Sequence, residues 1–437
     1  MWRFLEYCWF VVRTKGFIGG LLRIGMLISR FDLSGRKMRR AIQGIAGLGR
    51  RFGYSPALIV PAIVLHRHRH ILNDGSCQDL ELAIHGYTHK NMRPLSLEAQ
   101  VQEVRKARQI FDQLGVKARG FRAPYLSCNT HTERVVSYCG LAWNSDTAFM
   151  ANGILHSHMG RPRRFVERAV QQLYMPDDAA DRLLAPWILE KTVCIPILLP
   201  DDEILVDRLG IDQPDAVADI WLKMLQWVRA RGGLFVLQLH PERFSICSKA
   251  MELLLEQTSI PGSGTWMAAM GQIADWWMTR DSFKFVISPA DSGAFDVLVK
   301  GPPNATIVGL NLPSDLGKPF FGGYRQIKAR QFRVTTDGKI PCVGIHPDAP
   351  TALAKFIHNA GFASEVSDVD KGYAMYFGSG QAFGPSDEIR VINQIESAGR
   401  PVLRCWPWPN GYKSAFATTH DLDSVTLTDF LYRLLGK

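Results

Sequence analysis

Short apolar runs alternate with stretches of helical spacing from about residue 24 to residue 280. Ile24–Phe31, Ala57–Val64, Leu80–Ile84, Ala118–Phe121, Leu141–Asn144, Val193–Leu199 and Leu234–Leu239 read as strands. Pro61 disturbs the second of them, because proline has no N–H to give a neighbouring strand. Between them lie a basic helix over Gly35–Arg51, an amphipathic helix over Leu97–Leu114 that Gly115 closes, and a helix over Asp215–Ala230. Alternating strands and helices imply a parallel sheet, open or closed into a barrel, in an α/β fold. The character changes near residue 283. Two facing strands follow, then a Gly/Pro-rich connection at 313–323 and helices at Ala349–Gly361 and Asp387–Gly399. The expected division is a larger unit at 1–284 and a smaller α/β module at 285–437.

Composition changes this picture in one respect. Apolar residues make up 46% of the 437 positions and charged residues 21%, which excludes a disordered or fibrous chain. The net charge is +10, but residues 1–70 hold thirteen Lys/Arg against only Glu6 and Asp32. The basic character is therefore local and points to an anionic neighbour there. The basic stretch contains no recognised nucleic-acid module, so no nucleic-acid partner is expected. Trp2, Leu5, Trp9 and Val12 share one face of a possible first helix, which suits packing on the fold or peripheral contact with a membrane. No run of 18 apolar residues occurs, and Glu6 and Arg13 interrupt any signal-peptide core, so a cytoplasmic location is expected, peripheral to a membrane if the first helix engages one. The eight cysteines form no C-x-x-C pair and are expected to be reduced.

Chemistry gathers at strand ends. His85-Gly-Tyr-Thr-His89 follows the strand Leu80–Ile84, and two imidazoles at that spacing can converge on a divalent ion. Asp32, after Ile24–Phe31, is the natural third ligand. Arg122-Ala-Pro-Tyr125 and His240-Pro-Glu-Arg243 follow two further strands. Carboxyl ends of parallel strands are where such folds build their sites.

In this order the segments resemble the polysaccharide deacetylases, carbohydrate esterase family 4, with its NodB-type domain. His85-Gly-Tyr-Thr-His89 is similar to the family's H-x-x-x-H motif, Arg122-Ala-Pro-Tyr125 to R-x-P-[YFW], and Leu237-Gln-Leu-His240 to L-x-x-H. The resemblance spans roughly residues 20–280. It implies a distorted (β/α) barrel of about seven strands and metal-dependent removal of an acetyl group from a sugar, zinc being the expected metal. By that resemblance His85 and His89 bind the metal, with Asp32 beside them. Arg122 orients the base, the Tyr125 N–H steadies the oxyanion, and His240 is the general acid. The implied substrate is an acetylated amino sugar or glycan, with a lipid- or phosphate-linked one matching the basic end. Hydrolysis of another amide or C–N bond is the rival within enzymes.

The first motif departs from the family. The family carries two closely spaced Asp there, whereas Ser29-Arg-Phe-Asp32-Leu-Ser34 has one, with Phe31 where a base would stand. Three consequences remain open: another carboxylate is the base, Asp32 serves as both ligand and base, or the protein is an inactive carbohydrate-binding scaffold. The run Ser414–Ser424 contains Thr419-His420-Asp421-Leu422-Asp423, a closer match to the first motif. It reads as a strand and helix cap, as the stump of a second domain, or as a carboxylate delivered to the first site. The last reading expects deletion of 415–437 to abolish activity and leave the first unit folded. His66-Arg-His-Arg-His70 puts three histidines on one face if extended, as a ligand set or a solvated loop. Trp406-Pro-Trp-Pro409 reads as a rigid strand lead-in or a sugar-stacking surface.

Overall fold

The computed structural model describes Gly25, residues 28–70, Gly75, and residues 77–154, 176–336 and 338–434. The expected first helix, with Trp2, Leu5, Trp9 and Val12, lies outside the described residues.

Nine strands form the main sheet: β1 (Ala57–Val60), β2 (Glu81–Ile84), β3 (Gly120–Phe121), β4 (Trp143–Asn144), β5 (Trp187–Leu189), β6 (Thr192–Cys194), β7 (Leu234–Leu239), β8 (Thr265–Met267) and β9 (Ser414–Asp421). Their spatial order is β7-β9-β1-β2-β3-β4-β6-β5, with β8 also against β9. All pairs are parallel except the β5/β6 hairpin. The sheet curls into a half-barrel with helices packed outside it, which bears out the α/β reading.

The order of β9 is the unexpected feature. This strand, late in the chain, lies inside the sheet between β7 and β1. One edge pairs with β7 from Leu234↔Ala415 to Leu239↔His420. The other edge is shared, with β8 against residues 414–416 and β1 against residues 419–421. All eight β9 residues are buried. Residues 414–421 therefore belong to the main sheet and not to the module at 285–437, where the sequence placed them. The strand just before, Val402–Pro409, pairs instead with Ala305–Leu310, from the stretch expected to form a smaller module. That module also holds a three-stranded parallel sheet centred on Ile340–Ile345.

Local signals explain most of the helices: α1 (Arg36–Phe52), α2 (Leu97–Gln113), α3 (Pro214–Arg229), α4 (Phe244–Ser259), α5 (Met270–Arg280) and α6 (Leu427–Leu434). The Ser96 side chain caps α2 by accepting from the Ala99 N–H, and Gly53 closes α1 at φ 70. Met38, Ile42, Ile45 and Gly49 form the buried stripe of α1, leaving its cations outside.

Two expected elements are absent. Residues 28–30 are helical, so among the described residues no strand leads into Asp32. β1 stops at Pro61 and the helix Ala62–Arg67 follows, so the His66–His70 run is not an extended face. His68 meets the Asp429 carboxylate at 2.5 Å instead. Trp406 and Trp408 are core side chains, 3% and 0% exposed, so they offer no surface for stacking a sugar.

Candidate active site

The site is built at the carboxyl ends of β9, β1, β2, β3 and β7. β2 ends at Ile84 and His85 follows with its side chain buried. Gly86 at φ 74 turns the chain so that His89 comes back beside His85, with ring centroids 4.8 Å apart. His85 Nδ1–H donates to the Arg122 carbonyl at 2.8 Å, which fixes the tautomer and leaves the Nε2 lone pair free to bind.

The third member of this group is Asp423. Its Oδ1 lies 3.0 Å from His89 Nε2 and 3.4 Å from His85 Nε2. Among the described residues that buried oxygen has no hydrogen-bond partner. Ligand atoms on a tetrahedral ion with bonds of about 2.05 Å stand about 3.3 Å apart. Two imidazole nitrogens and an orphaned carboxylate oxygen at this spacing, mutually unbonded, fit a divalent cation. Two borderline nitrogens with one oxygen suit zinc chemistry. Burial opposes charge on His85, but the carboxylates of Asp421 and Asp423 outweigh it and raise its pKa. Burial drives His89 down to about 4, so it is the neutral ligand form near pH 7. Against the effect of burial, His89 and Arg433 hold the Asp423 carboxyl well below the usual carboxylate range.

Asp32 is not in this group. Its Oδ2 accepts from the Lys37 N–H at 3.2 Å and from the Ser34 hydroxyl at 3.3 Å, next to the first turn of α1. The helical start at 28–30 and the loop after it direct Asp32 to that helix instead of to a strand end. Its expected assignment as metal ligand is corrected on that ground. Phe31, where a base was missing, is a core side chain against Phe430, with ring centroids 5.9 Å apart.

A second carboxylate, Asp421, ends β9. Arg122 NH1 donates to its Oδ1 at 2.8 Å and Gln238 Nε2 to its Oδ2 at 3.0 Å. Arg122 is fully buried and also reaches Thr419 Oγ1 at 2.8 Å, Ser145 Oγ at 2.8 Å and the Ser145 carbonyl at 3.0 Å. A buried guanidinium with this many fixed acceptors is a rigid clamp on the carboxylate. Gly120 makes the approach of β3 and β4 possible, since a Cβ there would overlap the Trp143 indole.

Across β9, His240 follows β7. Its Nδ1–H donates to Asp202 Oδ1 at 2.7 Å and its backbone N–H to Asp202 Oδ2 at 2.7 Å. Burial disfavours the imidazolium, but Asp202 outweighs it and raises the His240 pKa well above normal. Its neighbour Asp201 is pushed up to about 7 by burial and by Asp202. Burial pushes the Glu242 carboxyl, two residues after His240, above its usual pKa. Tyr125 sits in a tight turn at φ 64, its ring edge-on to His89 at 4.5 Å.

The structure thus brings His85, His89, Arg122, Tyr125 and His240 to one sheet end and leaves Asp32 apart. Sequence reading did not assign Asp202, Gln238 or Ser145. Asp202 belongs to an acidic pair that follows the apolar run Val193–Leu199 after Pro200.

Residues 64–143 match the family model for polysaccharide deacetylase. No curated protein is significantly similar to the chain. Among solved structures, a putative polysaccharide deacetylase from Mycobacterium smegmatis is 18% identical with a TM-score of 0.41, covering 54% of this chain and 76% of that one. A probable polysaccharide deacetylase from Pseudomonas aeruginosa PAO1 is 16% identical with a TM-score of 0.41, covering 54% and 72%. Puue allantoinase is 16% identical with a TM-score of 0.42, covering 55% and 72%. The matched segment holds His85, His89, Arg122 and Tyr125, and over those residues the chain is similar to the polysaccharide deacetylases.

Proposed function

We propose that the protein is a metal-dependent deacetylase that hydrolyses the N-acetyl group of an amino sugar within a glycan. One observation carries this reading. Two carboxylates two residues apart, Asp421 and Asp423, occupy different environments: one is clamped by Arg122 and Gln238, the other is turned toward two imidazoles. One environment suits a base and the other a ligand.

His85, His89 and Asp423 would hold the ion. When bound, a divalent ion polarises the acetyl carbonyl and acidifies a water. Asp421 takes the proton of the attacking water while Arg122 and Gln238 keep the carboxylate oriented. The Tyr125 backbone N–H donates to the oxygen that gains negative charge as the water adds to the carbonyl carbon. His240, charged and held by Asp202, gives its proton to the departing nitrogen as the C–N bond breaks, leaving acetate and an amine.

The cations Arg36, Lys37, Arg39 and Arg40 are exposed on α1 and favour a phosphate- or lipid-linked glycan met at a membrane surface. No helix among the described residues is long and apolar enough to cross a membrane. A cytoplasmic enzyme peripheral to the membrane fits both.

Acetate release decides the reading. With N-acetylglucosamine oligomers or lipid-linked N-acetyl sugars, a chelator stops acetate release and added zinc restores it. Metal-loaded protein that frees no acetate from any of them refutes the deacetylase.

The acid makes a separate prediction. Asp202→Asn removes the carboxylate that raises the His240 pKa, so the alkaline limb of the kcat profile moves to lower pH. The same pair has a stability consequence. Because the folded pKa is raised, its contribution is complete below the unfolded value of about 6.5 and is lost as pH rises through the folded value. An alkaline limb that stays in place in Asp202→Asn removes His240 from the acid role.

A further inference from the structure

We infer that Arg433, on α6, is a positioning residue that restricts Asp423 to ligation through one oxygen. The inference rests on the metal reading above. Arg433 NH1 donates to Asp423 Oδ2, the oxygen that does not face the histidines. Of the two Asp423 oxygens, Oδ1 is the one at 3.4 Å from His85 Nε2 and 3.0 Å from His89 Nε2. A carboxylate on a loop can otherwise turn and offer both oxygens to an ion, filling a position that a catalytic site keeps for water or substrate. The guanidinium prevents this by occupying the second oxygen.

Arg433 is itself held in place. Its guanidinium lies 5.1 Å from the Phe430 ring centroid. The start of α6 is tied by reciprocal bonds: the Thr426 N–H donates to Asp429 Oδ2 at 3.1 Å, and the Asp429 N–H to Thr426 Oγ1 at 3.1 Å. Asp429 also binds His68 at 2.5 Å and stands 3.5 Å from Arg67. The helix is thus anchored to the segment after β1, and Arg433 reaches Asp423 from a fixed base. Arg433 also lines a small cavity of about 10 Å³ together with His89, Asp423, Arg67 and Asp429.

The test is cobalt titration of the metal-free full-length protein, read by visible absorption. Wild type binds one equivalent with the intense band of a low-coordinate Co²⁺ site. Arg433→Met still binds one equivalent, but the band weakens several-fold as Asp423 adds its second oxygen. Its kcat falls about 10-fold or more with KM little changed, in line with the size of such outer contacts. Arg433→Lys returns the wild-type band. If Arg433→Met does not fold, Arg433→Gln is read in the same way. A band of unchanged intensity in a folded variant overturns the role of Arg433 and leaves the metal centre standing. Wild type that takes up no cobalt overturns both.

Discussion

Asp421→Asn lowers acetate release by about 10²–10⁴-fold, the usual contribution of a positioned base, while the protein keeps its full metal content. The two carboxylates separate cleanly in this experiment. The introduced amide retains an oxygen for Arg122, so the clamp keeps its shape, but it cannot accept the water's proton. The lost charge still leaves Arg122 buried beside a neutral partner, and the melting temperature falls. Asp423→Asn behaves differently, losing metal and activity together. Asp32→Asn is the control, since its carboxylate only meets the Lys37 N–H at 3.2 Å and the Ser34 hydroxyl at 3.3 Å. It leaves metal content and kcat unchanged, with a stability loss no larger than about 1 kcal/mol. Acetate release and bound metal measured on the three variants decide the assignment. Full activity in Asp421→Asn would remove it from the base role.

The second large effect concerns the fold itself. Truncation before Ser414 yields no folded main sheet. One of the three readings of the Ser414–Ser424 run expects that deleting 415–437 leaves a folded but inactive first unit, and the strand order argues against the folded part of it. Without β9, β7 loses its partner from Leu234 to Leu239, β1 loses the strand on one edge, and β8 is detached. Buried backbone groups along two strands would then lack partners, each costing about 1–3 kcal/mol. Set against a typical domain stability of about 5–15 kcal/mol, that loss is decisive. Circular dichroism and denaturant melts of the truncated chain check it. A cooperative native-like melt would show that the rest of the sheet stands alone.

Much of this was legible in the sequence because it is local. The helical spacing of Leu97–Leu114, the basic helix over Gly35–Arg51 and the strand Leu234–Leu239 are written in neighbouring residues, and all three elements form there. His85, His89, Arg122 and His240 were found because each belongs to a short segment that follows its own strand directly. What failed was the assumption that strands neighbour one another in the order of the chain. Asp32 was chosen because it came before His85, as the family's first motif does. Asp421 and Asp423 carried the better pattern, but nothing local says that residue 419 lies beside residue 57. Asp202 was missed for a related reason. Its meaning is a hydrogen bond to His240, 38 residues away, and an acidic pair on its own has no such address.

The insertion of β9 between β7 and β1 also sets a clock on synthesis. Tyr54 and Thr418, joined by a 3.0 Å hydrogen bond, are 364 residues apart. At about 5–20 residues per second, a ribosome needs roughly twenty seconds or more to make that interval. Throughout it, β1 presents an unpaired edge to the cell, and β7 does so once it is made, the kind of edge that recruits chaperones or foreign strands. Asp421 and Asp423 arrive with the strand that joins β7 to β1, so the carboxylates reach His85, His89 and Arg122 only in the step that assembles this part of the sheet.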